Sequence, residues 1–590
     1  MNPKAASDSS RQPACGRGSG ARERAGLLGV VFLFVLASAL PAAEPAATPA
    51  RGEIIIELPK FEVVDSRLLP PQEKWLYAEI PGFEILSRIS ERETKRFVRD
   101  FLLLQTVITE IMPGLLRGQT PVPTLLILCG GRGKGFDEFL PLEQSDERYG
   151  TNSLFFKSPE RSAIVIDFAL AELQLEGDTR LEADPYRAFY AAYFRFLIRK
   201  QVGDKAPPWF EEGLVQLFAA TEFDKKTITF AQIGDGFGAE KIGDFNRMLT
   251  QRAIMPFAEM LAPQGPPART PFWAAQCYAF VHYCLYGLGQ KNQRPFVTYV
   301  HRLAEQEPTE ELFKECFKKT YRQFATELRG YIDFTAHKKI EFRAKKGQEL
   351  PEPPAVTLQP APDADVGRIK GEVLRLGGHG IEAHNTLIAP YVRGERDPRL
   401  LAALGLDEKL AGHDDRARKF LEAAATAKVE RARAYLELAR LRLAEARSSL
   451  KSPEARLDAE QTSAVLTPLF TARQQKPPLA GVYALIAETW SLSAMVPQAE
   501  HLAVVIEGVR LFPGNTALLM QATLLAAKRG FPAEAKALAD RGAKIAKEPG
   551  EQDQFRLIAS AFERDTDPAA PAETAPVPAK KSEPFLLKSP

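Results

Sequence analysis

Cysteine is scarce, with five in 590 residues, and Cys129, Cys277, Cys284 and Cys316 form neither a CxxC pair nor a dense framework, which excludes a disulfide-stapled fold. Cys277 and Cys284 share a helical face but lie about 10 Å apart along the axis, too far for a disulfide within one helix. Histidine is nearly as rare. There are seven, and all lie beyond Glu212, so no imidazole precedes that residue in the chain. Charge of one sign is also missing, because 77 bases stand against 75 acids. Residues 1–43 hold five of those bases (Lys4, Arg11, Arg17, Arg22, Arg24) and two of the acids (Asp8, Glu23), so the remainder is close to neutral. Without a basic excess to neutralise phosphates, no nucleic-acid partner is expected. The one long apolar run, LLGVVFLFVLASAL at residues 27–40, falls short of the ~20 residues that span a bilayer.

That run follows an arginine-bearing stretch and precedes small residues, the order of a secretory signal. Residues 1–43 read as a signal peptide cleaved after Ala39 or Ala43, with a retained anchor as the alternative. Cys15 lies upstream of the run, so the lipoprotein arrangement is absent. The chain is therefore expected to be exported, periplasmic or in the cell envelope, with no stable membrane span after cleavage. A Pro/Ala-rich linker (44–52) follows, and the Pro/Ala-rich end, residues 565–590, has little to bury and reads as a disordered tail.

Between these ends, EIIIELPKFEVVD (53–65) alternates as a strand, SERETKRFVRDFLLLQTVITEIMPGLL has helical periodicity, and PTLLILCGG and SAIVIDFA read as short buried strands. A small α/β unit to about residue 170 is expected, and from Pro185 the pattern is helical. Residues 336–365 are charged and Pro-rich and read as a linker, and 366–564 are Ala- and Leu-rich helix with Gly turns. The last region repeats: Gly371, Gly378, Ala383 and Leu387 recur, 34 residues on, as Gly405, Gly412, Ala417 and Leu421. These offsets resemble tetratricopeptide positions, with a small residue where two helices meet, a turn Gly, an Ala at the crossing and an apolar residue one turn later. About five irregular helical pairs are expected, stacked because no single pair buries its apolar face, and able to stand without the N-terminal half.

The segment FYAAYFRFLIRKQVGDKAPPWFEEGLVQLFAA resembles the core of the peptidase MA-like, gluzincin-type metallopeptidases. There, one helix carries His-Glu-Tyr-x-His and a second begins Pro-Pro-Trp-x-x-Glu-Gly-Leu. Two His at i and i+4 and the later Glu hold zinc, while the Glu beside the first His activates water. The resemblance covers roughly residues 75–335 and places Tyr193 at the motif Tyr and Glu212 at the third-ligand Glu. The two His and the general base fall on Ala191, Ala192 and Arg195. It thus implies a zincin-like domain over residues 53–335 that has lost its metal and its catalytic residues, in which Arg195 takes the vacated place and pairs with Glu212. His282 is expected to be a core residue.

Weaker candidates remain. In GGHGIEAHN, His379, Glu382 and His384 cluster, but HxxEAH is one residue longer than the inverted zinc motif. LCGGRGKGF (128–136) lacks the leading Gly and the Ser/Thr of a phosphate loop. Glu211 and Glu212 are adjacent on a helix and point about 100° apart, which suits no shared bond. The sequence therefore reads as an α+β, mostly helical chain: an α/β unit and zincin-like helical domain, then an α-solenoid of tetratricopeptide-like pairs. It is expected to be non-catalytic, to need no cofactor, and to bind a protein or peptide partner through its repeats. The alternative is an active hydrolase or peptidase with unrecognised or displaced catalytic residues. A third reading is a structural component whose α/β part caps the repeats.

Overall fold

The structure is a computed structural model. It describes residues 57–61, 69–112, 116, 122–130, 135–142, 152–168, 185–202, 206–224, 226–231, 235–236, 242–265, 270–303, 306–334, 339–343, 350, 352–452 and 455–564. All of them belong to one compact unit that starts at Ile56. The expected signal peptide, first linker and C-terminal tail lie outside the described residues.

A six-stranded mixed sheet begins the fold. Leu76–Ile80 (β1) and Phe83–Ser87 (β2) form a hairpin about Pro81 and Gly82, where Gly82 takes φ +82°, a conformation that costs glycine little. Glu91–Ile111 (α1) then crosses over to Thr124–Cys129 (β3), which runs parallel to β2. Ser90 caps this helix by accepting from the Glu93 amide, which satisfies one of the orphan donors of the first turn. Ser153–Lys157 (β4) is the antiparallel edge strand beside Ser162–Asp167 (β5), which is parallel to β3. The strand expected at 53–65 is not formed in its described part: residues 57–61 are irregular. Phe61 instead stacks on Phe420 and meets Tyr391 edge-on, far along the chain.

Ile85, Leu126, Leu128, Ile164 and Ile166 turn one face of the sheet towards a large core shared with α1 and the helices that follow. Those include Pro185–Val202 (α2), Pro208–Phe218 (α3) and Pro271–Tyr286 (α4). Residues 273–285 of α4 are buried without exception, as expected of a helix that is apolar all round.

In its described residues the stretch 336–365 is more than a linker. Ile340–Arg343 pairs with Thr227–Phe230, and Gln359–Pro360 pairs with β1 as the far edge of the main sheet. The first array helix, Asp363–Leu376 (α5), starts three residues before the expected boundary and lies against the second face of the sheet. Its Val366, Ile369, Val373 and Leu374 share a core with Trp75, Tyr77, Leu86, Leu125, Ile127 and Val165. Burying those side chains is worth roughly 1.5–3 kcal/mol each, so the array as read from residue 366 would start with an exposed apolar face. The sheet and the array are one core structure rather than two.

The array continues as hairpins: α5 with Gly380–Val392 (α6), Pro398–Leu410 (α7) with Asp414–Thr426 (α8), and Ala432–Ser448 (α9) with Ala459–Arg473 (α10). Two more pairs follow, Ala480–Leu492 with Ala499–Leu511 and Thr516–Lys528 with Pro532–Ile545, before a closing helix at Pro549–Arg564. The chain is thus mostly helical, with a small sheet region and a C-terminal helical repeat array. No described helix is long and apolar enough to cross a membrane.

Candidate functional site

The two repeat registers converge on the same packing. A Cβ on Gly371 would lie 2.6 Å from Leu387 Cγ and 3.1 Å from the Ala383 carbonyl, and one on Gly405 would lie 2.7 Å from Leu421 Cγ. Ala383, Leu387, Ala417 and Leu421 are all fully buried. Gly378 and Gly412 take φ +89° and +80° in the turns. Further on, the small residue keeps its role with a different partner: Gly508 lies under the Tyr483 ring and Gly542 under Phe555. Between α8 and α9 the array opens a groove of about 320 Å³, lined by Asp414, Asp415, Arg418, Leu441, Ala444, Glu445 and Ser448. Arg418 lies 2.7 Å from Glu445 and 3.5 Å from Asp415.

At the other candidate centre, α2 and α3 pack face to face. Gly213 allows α3 to approach α4, for a Cβ there would meet Val281 at 2.5 Å and the Cys277 carbonyl at 2.8 Å. Ala191 and Ala192 are completely buried. Tyr193 accepts a hydrogen bond from Gln105 Nε2 at 2.8 Å, and burial pushes its phenol well above its usual range. Arg195 Nη2 donates to Glu212 Oε2 at 3.3 Å, and its Nε lies 3.5 Å from Glu211. Gln216 donates to the other Glu212 oxygen at 2.7 Å. Glu211 is forked by Arg199, at 3.1 and 3.3 Å. Both carboxylates are therefore occupied by cations, each about one-fifth exposed or less.

The remaining sequence candidates separate. His379 Nε2 bonds the Leu140 carbonyl at 2.6 Å, whereas His384 Nδ1 bonds Asp407 at 2.6 Å, so the two imidazoles serve different neighbours. Asp407 also raises the His384 pKa by hydrogen bonding. His282 is buried in α4 and bonds Tyr331 Oη at 2.7 Å. Residues 131–134 of the Gly-rich loop lie outside the described residues; Cys129 Sγ donates to the Gly135 carbonyl at its edge. Among the described residues no group of three His, Cys, Asp or Glu could hold a metal ion.

What sequence reasoning missed is the seam between sheet and array, which is built from charge. Arg368, fully buried on α5, donates to Glu84 of β2 and to Asp365. Arg161 bridges Glu84 at 3.2 Å and Glu372 at 3.3 Å. Arg431, at the start of α9, donates to Glu372 at 2.6 Å and to Glu160 at 2.9 Å. Burial alone would raise the Glu84 carboxyl, but Arg368, Arg161 and Arg399 hold it down at about 2. Glu372 is likewise lowered against its burial by Arg161, Arg431 and Arg368. These partners are 284 and 271 residues apart in sequence, so no local motif announces them.

No family model matches the chain, and no curated protein matches it. Among solved structures, it is similar to TTC0263, a thermophilic TPR protein of Thermus thermophilus, at 15% identity and a TM-score of 0.25, over 34% of this chain and 99% of that one. It is also similar to yeast Tom70, at 14% identity and a TM-score of 0.18, over 68% of this chain and 78% of that one.

Proposed function

We propose that the chain is an exported, non-catalytic protein in which a zincin-like pair of helices has lost its metal site and the helical array serves as the surface that binds a protein or peptide partner. The observation that carries this reading is the occupant of the α2–α3 centre. An arginine guanidinium stays protonated at physiological pH and has no lone pair to offer a metal, and here it neutralises Glu212, the one donor the resemblance would keep. Ala191 and Ala192 offer no donor either. A metallopeptidase needs three protein ligands and an open position for water, and this centre supplies one carboxylate already in an ion pair. Export rests on the apolar run at 27–40 and its flanks. The partner role rests on the array, whose stacked hairpins leave a continuous surface with an acidic groove between α8 and α9.

The test is elemental analysis of the purified chain after dialysis against zinc, together with affinity capture of envelope proteins. Far less than one zinc per chain is expected, with captured partners lost when Asp415 and Glu445 in the α8–α9 groove are changed to Arg. One tightly held zinc per chain that disappears in Glu212→Ala would overturn the non-catalytic reading.

A further inference from the structure

The seam between sheet and array is not closed along its whole length. A cavity of about 90 Å³ remains, lined on one side by Arg161, Arg375, Arg431 and Arg433 with Glu160 and Glu372, and on the other by Leu376, Ala403, Leu406 and Leu410. At about 30 Å³ per water it has room for about three waters, the scale of a small ligand's polar end. Four guanidiniums and two carboxylates line its polar wall.

The four are not equivalent. Arg431 and Arg161 are tied down by short hydrogen bonds or ion pairs to Glu160, Glu372 and Glu84, and Arg375 is held by Asp407. Arg433 has no hydrogen bond among the described residues; its guanidinium reaches Glu160 and Glu437 only at 3.8 Å, and its side chain is 43% exposed. Elsewhere in the seam, Nε and Nη1 of the buried Arg368 meet no acceptor among the described residues. Burial, reinforced by Arg431, lowers the Arg375 pKa despite Asp407. Across from it, Leu410 holds 71% of its surface in water at the mouth of the cavity, in a position that a bound apolar group would cover.

We infer that this cavity is a binding site for a small aliphatic carboxylate, with the carboxylate on the Arg433 guanidinium and the aliphatic arm on Leu376, Leu406 and Leu410. Planar, bidentate pairing is what guanidinium offers a carboxylate, and the opposite wall supplies the apolar contact that inorganic anions cannot use. A free short-chain acid and the carboxy terminus of a peptide ending in an aliphatic residue share this chemistry.

Ligand-observed NMR titration of the full chain tests it with valerate, N-acetylleucine and the neutral isostere valeramide. A ligand of so few atoms should bind with a dissociation constant on the order of 1 mM. Valerate or N-acetylleucine should saturate, valeramide should bind at least about tenfold more weakly, and Arg433→Gln should weaken the acid by about tenfold, the loss of one charge-assisted contact. Tighter binding of N-acetylleucine than of valerate would assign the site to a chain terminus, the reverse to a free acid. Leu410→Asp, at an exposed position, repels a carboxylate without disturbing the core and guards against a fold effect of the first variant. Absence of saturable binding, equal binding of valeramide, or undiminished binding in both variants overturns the inference.

Discussion

Replacing Arg431 by Met removes a side chain that joins α9, α5 and the β4–β5 turn. Arg431 donates to Glu372 Oε1 at 2.6 Å and reaches Glu160 at 2.9 and 3.4 Å, and all three side chains are about nine-tenths buried. Leaving a buried charge without its partner costs about 3–5 kcal/mol. Two neighbours limit the damage, since Arg161 stays 3.3 Å from Glu372 and Arg433 lies 3.8 Å from Glu160. The expected loss is therefore at the low end, about 3 kcal/mol. In a unit this large the shift in melting temperature is only a few degrees, so hydrogen exchange is the better assay. Amides of residues 158–161 and of the first turn of α9 should exchange about 100-fold faster, the equivalent of ~3 kcal/mol of local opening. A triple variant that also carries Glu160→Gln and Glu372→Gln should recover most of the protection, because no charge is then left unpaired. If Arg431→Met changes exchange by less than about twofold, or the triple variant is worse than the single one, the seam is not held by these charges.

The pair at the α2–α3 centre should show a coupling of about 1 kcal/mol in a double-mutant cycle of Arg195→Ala and Glu212→Ala, between the values for exposed and buried pairs because each side chain is about one-fifth exposed; strictly additive losses in urea denaturation would refute the pairing. Glu84, held at about 2 against an unfolded value of about 4.3, contributes stability that is complete above the unfolded value and is lost as pH falls through 2, about 3 kcal/mol in all; Glu84→Gln should flatten that acid limb, and an unchanged limb would contradict it.

The parts of the fold visible in the sequence are those set by spacing within one or two helices. Gly371 with Leu387 and Gly405 with Leu421 announce the hairpins because a close helix crossing requires a missing Cβ at a fixed offset. Gly213 is legible in the same way, as the residue that lets α3 touch α4. Strands β2 and β4 give no alternating signal because both faces of this sheet are covered and their residues are buried almost in succession, erasing alternation. The stretch 336–365 reads as a linker because its strands are only four and two residues long and take their partners from elsewhere in the chain. Lys370 shows the same limit: its Nζ lies between Glu73 and Glu138 beneath Trp75, a buried lysine whose helix gives no local sign that a sheet face will cover it.

The sheet that covers α5 also makes the two ends of the array unequal among the described residues. One terminus is clamped over several strands, while the other ends in a single helix seated on Gly542 through Phe555. A pull on the far end would be borne by one interface at a time, so hairpins should peel off in order from Pro549–Arg564 inwards, and tension would reach the sheet last. The protein is thus built as an anchored chain of links with a strong root and a yielding tip.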